Sequence, residues 1–229
     1  MIASAGNVEC VLDAKAELGE GPVWDPDAGC LYFVDIERGA VHRHDPATAT
    51  SRSFQIGMMV GAAALTAAGD LVLAVSDGFA RLDLDSGQVR ALAAVEAYNV
   101  DTPTRSIDVF DFDIATGTIA NRRSLARVEH GEGWPDGRTL DIDGYIWVAL
   151  WSGAAVRRYA PDGTLDRVVA VPTMYPTSCA FGGPDLQDLY VTTAATALTP
   201  DERLREPLAG GVFRCRPGVQ GRPPHRFKG

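Results

Sequence analysis

With 229 residues, of which 46% are hydrophobic and 22% charged, the chain has an ordinary globular composition and is long enough to bury a sizeable core in one domain. A net charge of -9 excludes the basic face that phosphate-backbone binding needs, so no nucleic-acid partner is expected. The acidity is scattered rather than blocked, which excludes an acidic disordered tail.

Glu9, Asp13 and Lys15 interrupt the N-terminal apolar residues, so no signal peptide is expected there. No stretch reaches the ~18 apolar residues a membrane helix needs, so no membrane partner is expected either. Cys10, Cys30, Cys179 and Cys215 lack metal or C-x-x-C spacing and read as small apolar core residues of a reducing, cytoplasmic protein.

In chain order, five segments read as the same strand. They are Leu31-Tyr32-Phe33-Val34, Leu71-Val72-Leu73-Ala74, Ala97-Tyr98-Asn99-Val100, Ile146-Trp147-Val148-Ala149 and Leu189-Tyr190-Val191-Thr192. Their first residues are separated by 40, 26, 49 and 43 positions. A four-stranded propeller blade takes about 40–45 residues, so three steps are one blade and one is short. Turn chemistry such as Asp25-Pro26-Asp27-Ala28-Gly29, Asp141-Ile142-Asp143-Gly144 and Pro161-Asp162-Gly163 punctuates the strands. The spacing predicts an all-β protein, a β-propeller of about five blade-like units within a single domain, 1–229.

The first repeat is complete, with strands Glu20–Trp24, Leu31–Asp35, Val41–His44 and Ser51–Ile56. The second runs from Val60 to Val95. The third has Tyr98–Thr102, Ile107–Asp113 and Arg122–Val128 but no inner strand. The fourth runs from Asp136 to Val171, and the fifth supplies three strands ending near Cys215. Val8–Leu12 is then expected to close the last blade as its outer strand. Only Thr199 to Leu208 has the look of a short helix.

The chain resembles the senescence marker protein/regucalcin/gluconolactonase family of six-bladed propellers. The matching motifs include Leu18-Gly19-Glu20-Gly21-Pro22-Val23-Trp24, Phe33-Val34-Asp35-Ile36, Ile107-Asp108-Val109-Phe110-Asp111-Phe112-Asp113, Gly133-Trp134-Pro135-Asp136-Gly137, Thr177-Ser178-Cys179-Ala180-Phe181-Gly182-Gly183 and Pro207-Leu208-Ala209-Gly210-Gly211. They follow the family's order over nearly the whole chain. The resemblance implies a divalent cation in the central channel, Ca²⁺ foremost with Mg²⁺, Mn²⁺ or Zn²⁺ as alternatives, and hydrolysis of a small-molecule sugar lactone or related ester.

Carried over by motif, Glu20 and Asp136 are metal ligands, and Asp136 is also the catalytic candidate. The family's two ligand asparagines, in Asn-Asp-Gly-Lys and Ser-Asn-Gly segments, have no counterpart; the chain's asparagines are Asn7, Asn99 and Asn121. The family's substrate-gripping arginine is missing with them. The break lies between about Val95 and Tyr98 and removes the third blade plus the inner strand of the fourth. An impaired, weakly metal-binding lactonase is one expectation, and a non-catalytic binding or assembly propeller is the other.

Both carboxylates begin an innermost strand, and two acids held together favour a hard cation over a thiolate metal. Arg138 could grip a sugar-acid carboxylate, neutralise Asp136, or sit at the surface. His130 and Glu132 precede Asp136 and are either loop decoration or overhang the channel. His42 and His44 share a strand face, read as solvated. Asp35 and Asp101 are expected to accept N–H bonds from the following turn. Trp24, Trp147, Trp151 and Tyr190 are expected between blades. The strand Tyr98–Thr102 would have an exposed edge, inviting a homo-oligomer.

Overall fold

The computed structural model describes residues 3–4, 7–76, 78–93, 104–113, 118–224 and 226. Two N-terminal strands, β1 (Ala3–Ser4) and β2 (Glu9–Leu12), precede a series of antiparallel meanders. Blade one comprises β3 (Gly19–Asp25), β4 (Cys30–Asp35), β5 (Ala40–Asp45) and β6 (Thr50–Gln55), side by side in that order. Blade two follows with β7 (Val60–Leu65), β8 (Leu71–Val75), β9 (Gly78–Leu82) and β10 (Val89–Ala93). The third unit shows two described strands, β11 (Ser106–Asp113) and β12 (Thr118–Arg127). The expected strand Tyr98–Thr102, with Asn99 and Asp101, lies outside the described residues.

Blade four contains β13 (Trp134–Leu140), β14 (Ile146–Trp151), β15 (Ala155–Tyr159) and β16 (Leu165–Ala170), and β1 adds to its edge in parallel with β16. The last blade joins β17 (Pro176–Gly182), β18 (Asp188–Thr193) and β19 (Val212–Cys215), with β2 as its outer strand. The fold is an all-β propeller. Its one described helix, α1 (Pro200–Arg205), starts at Thr199, whose hydroxyl and the Glu202 carboxylate form a capping box. Among the described residues no helix is long and apolar enough to cross a membrane.

The same local chemistry turns each hairpin. Asp25 Oδ1 accepts the N–H groups of Asp27 and Ala28, and Asp45 Oδ1 those of Ala47 and Thr48. Asp83 does the same for Asp85 and Ser86. These carboxylates satisfy turn amides that would otherwise lack partners.

The apolar faces meet between blades. Tyr32, Val34 and Val41 pack with Leu71, Leu73 and Leu82 of blade two. Trp147 and Val156 meet Phe181, Val191 and Phe213, while Trp24, Leu31 and Phe33 meet Tyr190 and Val212. Rings set the angles: Trp24 stacks on Tyr190 at 5.8 Å, Trp147 meets Phe181 edge-on at 5.6 Å, and Trp151 lies 4.7 Å from Tyr175.

The first strand of each complete blade faces a common axis, since β17 lies against both β3 and β13, and β7 lies against β3. All four first strands slip register near their start, between Glu20 and Val23, Val60 and Ala62, Pro135 and Arg138, and Pro176 and Ser178. Such bulges re-aim side chains at the rim of a barrel or propeller. The bulges sit where the candidate acids stand.

The C-terminal segment crosses the opposite face. Ile142 N–H donates to the Gln220 carbonyl, Gly221 N–H to that of Leu186, and Arg222 Nε to that of Asp141. Arg226 then reaches blade one, bonding Asp25 and Asp27 at 2.7 Å each.

Candidate active site

Glu20 is the second residue of β3 and Asp136 the third of β13, each at its strand's register slip. Gly21, at φ +52°, is in the left-handed region that favours glycine. That turn directs its N–H to the Glu20 carboxylate at 2.7 Å. Gly137 serves differently. A Cβ there would collide with the Ser178 side chain, so the missing side chain lets β13 close on β17. Local glycines thus set both carboxylates into one wall.

Burial drives the electrostatics. It pushes the Glu20 carboxyl up, the nearby Asp136 charge pushes it further, and the Gly21 amide offsets only part, leaving a pKa of about 7. Asp136 is raised to about 6 by burial, against one opposing bond from the Gly137 amide. Neither acid has a cationic side chain among the groups that shift it. The pair is therefore two mutually repelling, desolvated acids without a counter-charge.

That donor set fits a hard divalent cation, which takes oxygen ligands and relieves the repulsion. Among the described residues no third histidine, cysteine or acid joins them into a larger ligand cluster. Two carboxylates fill only part of a shell of six to eight oxygens. Asn121 lies in β12, in the third unit, and Asn99 is outside the described residues.

The strand between the two acids, β17, carries the Thr177–Gly183 motif, though none of its residues was a site candidate. In β17, Cys179 is fully buried; burial foremost, then the Glu20 charge, pushes its thiol pKa up. Its Sγ lies 3.7 Å from the Trp147 carbonyl, so it is a protonated core group and not a nucleophile. Thr177 donates to the Gly19 carbonyl and pairs with Thr192 at 2.9 Å, tying the last blade to the root of Glu20. The signal for these residues was positional: Thr177 to Cys179 hold the same place in their repeat as Glu20 and Asp136.

Other candidates are placed elsewhere. Arg138 is exposed, forms no ion pair among the described residues, and is absent from the groups that shift Asp136. His130 is exposed in the turn before β13. Glu132 does not overhang the channel as a free acid; it pairs with Arg157 at 2.7 Å.

His44 corrects the expectation of a solvated face. It is 2% exposed and bonded through Nδ1 to Ser51, its register partner on β6. His42 bonds Ser53 and stacks on Phe33 at 4.7 Å, so the two histidines serve packing. Burial lowers the pKa of both. Asp35 accepts the Arg38 N–H of the following turn, and also those of Glu17 and Leu18 entering β3. All four cysteines are free.

Comparison with known proteins adds three findings. A family model described as SMP-30/Gluconolactonase/LRE-like region matches residues 18–99 and 95–195, in two segments that meet at 95–99. Regucalcin of Oryctolagus cuniculus is 30% identical across 99% of this chain and 100% of its own length. That alignment spans 298 residues against 229 here, so about 70 of its positions have no counterpart in this chain.

Among solved structures, a calcium-binding regucalcin from Agrobacterium tumefaciens superposes with a TM-score of 0.92 at 22% identity, covering 100% of this chain and 99% of that one. A gluconolactonase from Xanthomonas campestris gives 0.63 at 17% identity, covering 91% and 89%. At these identities the superpositions establish the fold.

Proposed function

The chain belongs to the SMP-30/gluconolactonase/LRE-like family, and from that premise we propose that it is a divalent-cation-dependent hydrolase of sugar lactones or related esters, with turnover below that of an intact ring. The observation that supports this most is the meeting of Glu20 and Asp136, partly buried, unneutralised and raised to about 7 and about 6. Residues 1–229 act as one propeller domain in this reading.

Glu20 and Asp136 would hold the cation, Ca²⁺ in first place, which when bound supplies Lewis-acid polarisation of the lactone carbonyl. Asp136 then serves as the base. It takes a proton from the attacking water as the water oxygen bonds to the carbonyl carbon. The proton passes to the ring oxygen as the acyl–oxygen bond breaks, leaving a hydroxy acid. A carboxylate raised toward neutral pH is matched to this work. Glu20 orients through its Gly21 amide bond, while the exposed His130 and Arg138 take no part in this step.

Low turnover and weak cation affinity follow from the incomplete donor set and from the roughly 70 positions without counterparts. The same shortening favours a second reading, a non-catalytic propeller that self-associates through the third unit, where two strands are described.

Hydrolysis of glucono-lactone, with and without chelator, separates the two. Chelator-sensitive turnover that falls with Asp136→Asn supports the enzyme. No turnover above background, together with dimers by light scattering, supports the module.

A further inference from the structure

The strand between the two acids carries a buried hydroxyl that the fold leaves unused. β17 lies against β3 on one side and β13 on the other, so its first residues stand between Glu20 and Asp136. Contacts on both sides fix the place of Ser178. Toward blade one, the preceding Thr177 donates its hydroxyl to the carbonyl of Gly19, the residue before Glu20. Toward blade four, the Ser178 side chain lies against Gly137, the residue after Asp136, so closely that a Cβ there would collide with the serine hydroxyl. The register slip of β17 falls between Pro176 and Ser178, at the same place in the repeat as the slips that carry the two acids. The next residue, Cys179, has its thiol pushed up in part by the Glu20 charge, so Glu20 is within electrostatic reach of this part of β17.

Ser178 differs from its neighbours in how its hydroxyl is used. Thr177 is bonded to Gly19 and pairs with Thr192 at 2.9 Å, and Thr193 donates to the Gly211 carbonyl at 2.8 Å. Ser178 is only 6% exposed, yet among the described residues its hydroxyl has no hydrogen-bond partner. A hydroxyl withdrawn from water without a partner carries a cost that a ligand removes. Beside it stand two carboxylates in the same condition.

We propose that Ser178 supplies a third protein oxygen to the cation that Glu20 and Asp136 would hold. The proposal rests on the reading of that acid pair as a cation site and needs no catalytic step. A neutral hydroxyl oxygen suits a hard divalent ion and adds no charge to the repulsion between the acids. It also extends a donor set that two carboxylates leave short of six to eight oxygens.

Calorimetric titration of Ca²⁺ into the cation-free full chain at pH 8 tests this on wild type, Ser178→Ala and Glu20→Gln/Asp136→Asn. Ser178→Ala should weaken Ca²⁺ by about tenfold, and the double acid variant should bind none. The melting temperature of cation-free Ser178→Ala should not fall, because alanine removes a hydroxyl that has no partner. With Tb³⁺ as a hard, oxygen-seeking probe, luminescence decay in H₂O and D₂O counts the waters on the bound ion, and Ser178→Ala should add about one. Unchanged Ca²⁺ affinity in Ser178→Ala, with none in the acid variant, overturns the Ser178 assignment and leaves the acid pair standing. Absence of Ca²⁺ binding by the wild type overturns both. Affinity lost together with a lower cation-free melting temperature and an unchanged water count also overturns the assignment, since Ser178 would then serve packing alone.

Discussion

Strand β13 has a partly buried acid near its start and a fully buried one just past its end, and the protein treats them oppositely. Asp141, fully buried, accepts the N–H groups of Asp143 and Tyr145 at 3.1 and 3.0 Å, the Trp147 indole N–H at 2.9 Å, and Arg158 Nε at 2.8 Å. Arg158, itself 6% exposed along its side chain, also lies 3.7 Å over the Tyr145 ring and pairs with Asp166. At the other end, Asp136 and Glu20 receive one glycine amide each and repel one another. A carboxylate that the fold uses as an anchor is saturated by the fold. One left desolvated and unpaired carries a cost that a ligand can remove.

The largest break in this comparison comes from Asp141→Ala. Removing one partner of a buried ion pair costs about 3–5 kcal/mol, and here three further donors are orphaned with it. The melting temperature should fall by roughly 6–20 °C while the response to Ca²⁺ persists in the folded fraction. A drop of less than about 3 °C would mean the hub is not an anchor.

Glu20→Gln should act in the opposite direction on the cation-free protein. Glu20 has a folded pKa of about 7 against an ordinary value of 4.5. The folded state keeps its proton while the unfolded state has lost it, so stability falls as pH rises from about 4.5 to about 7. Above that window Glu20 costs about 3 kcal/mol, and the variant should be more stable by that order at pH 8. At pH 4 the difference should vanish. Urea unfolding at both pH values measures it, and a variant less stable at pH 8 would contradict the electrostatics. Asp136→Asn should follow the same sign over a window ending near pH 6.

A cation should cancel that same cost. Ca²⁺ at about 100 times its Kd should add about 2.7 kcal/mol of stability at pH 8. At pH 5, where both acids keep their protons, it should add almost none. Thermal scans with and without Ca²⁺ report this, and an equal gain at both pH values would place the ion elsewhere.

Arg138→Leu should have the smallest effect. An exposed arginine without an ion pair contributes within about 0.5 kcal/mol, and its loss should leave the Ca²⁺ response unchanged. A shifted Ca²⁺ response would show contact with Asp136 after all.

The blades and the two acids were legible because both rest on local, repeated chemistry. Aspartate-glycine turns recur at blade spacing, and Glu20 and Asp136 sit where a motif starts an inner strand. What sequence missed is set by packing across the chain. His44 alternates like a solvated strand residue, yet it is buried. Arg138 is two residues from Asp136, but the register slip between Pro135 and Arg138 separates their environments. Cys179 meets the field of Glu20, and Arg226 meets Asp25, only because the ring brings distant segments together. The edge of Tyr98–Thr102 and the Asn99 and Asp101 positions fall outside the described residues.

Calorimetric titration of Ca²⁺ into cation-free protein at pH 8, with the wild-type chain and with Glu20→Gln/Asp136→Asn, tests the central claim most directly. The open acid pair should give one weak, saturable site per chain, and the double variant should show none. Equal binding in both proteins, or no binding by the wild type, would contradict the assignment of Glu20 and Asp136 as the cation's ligands.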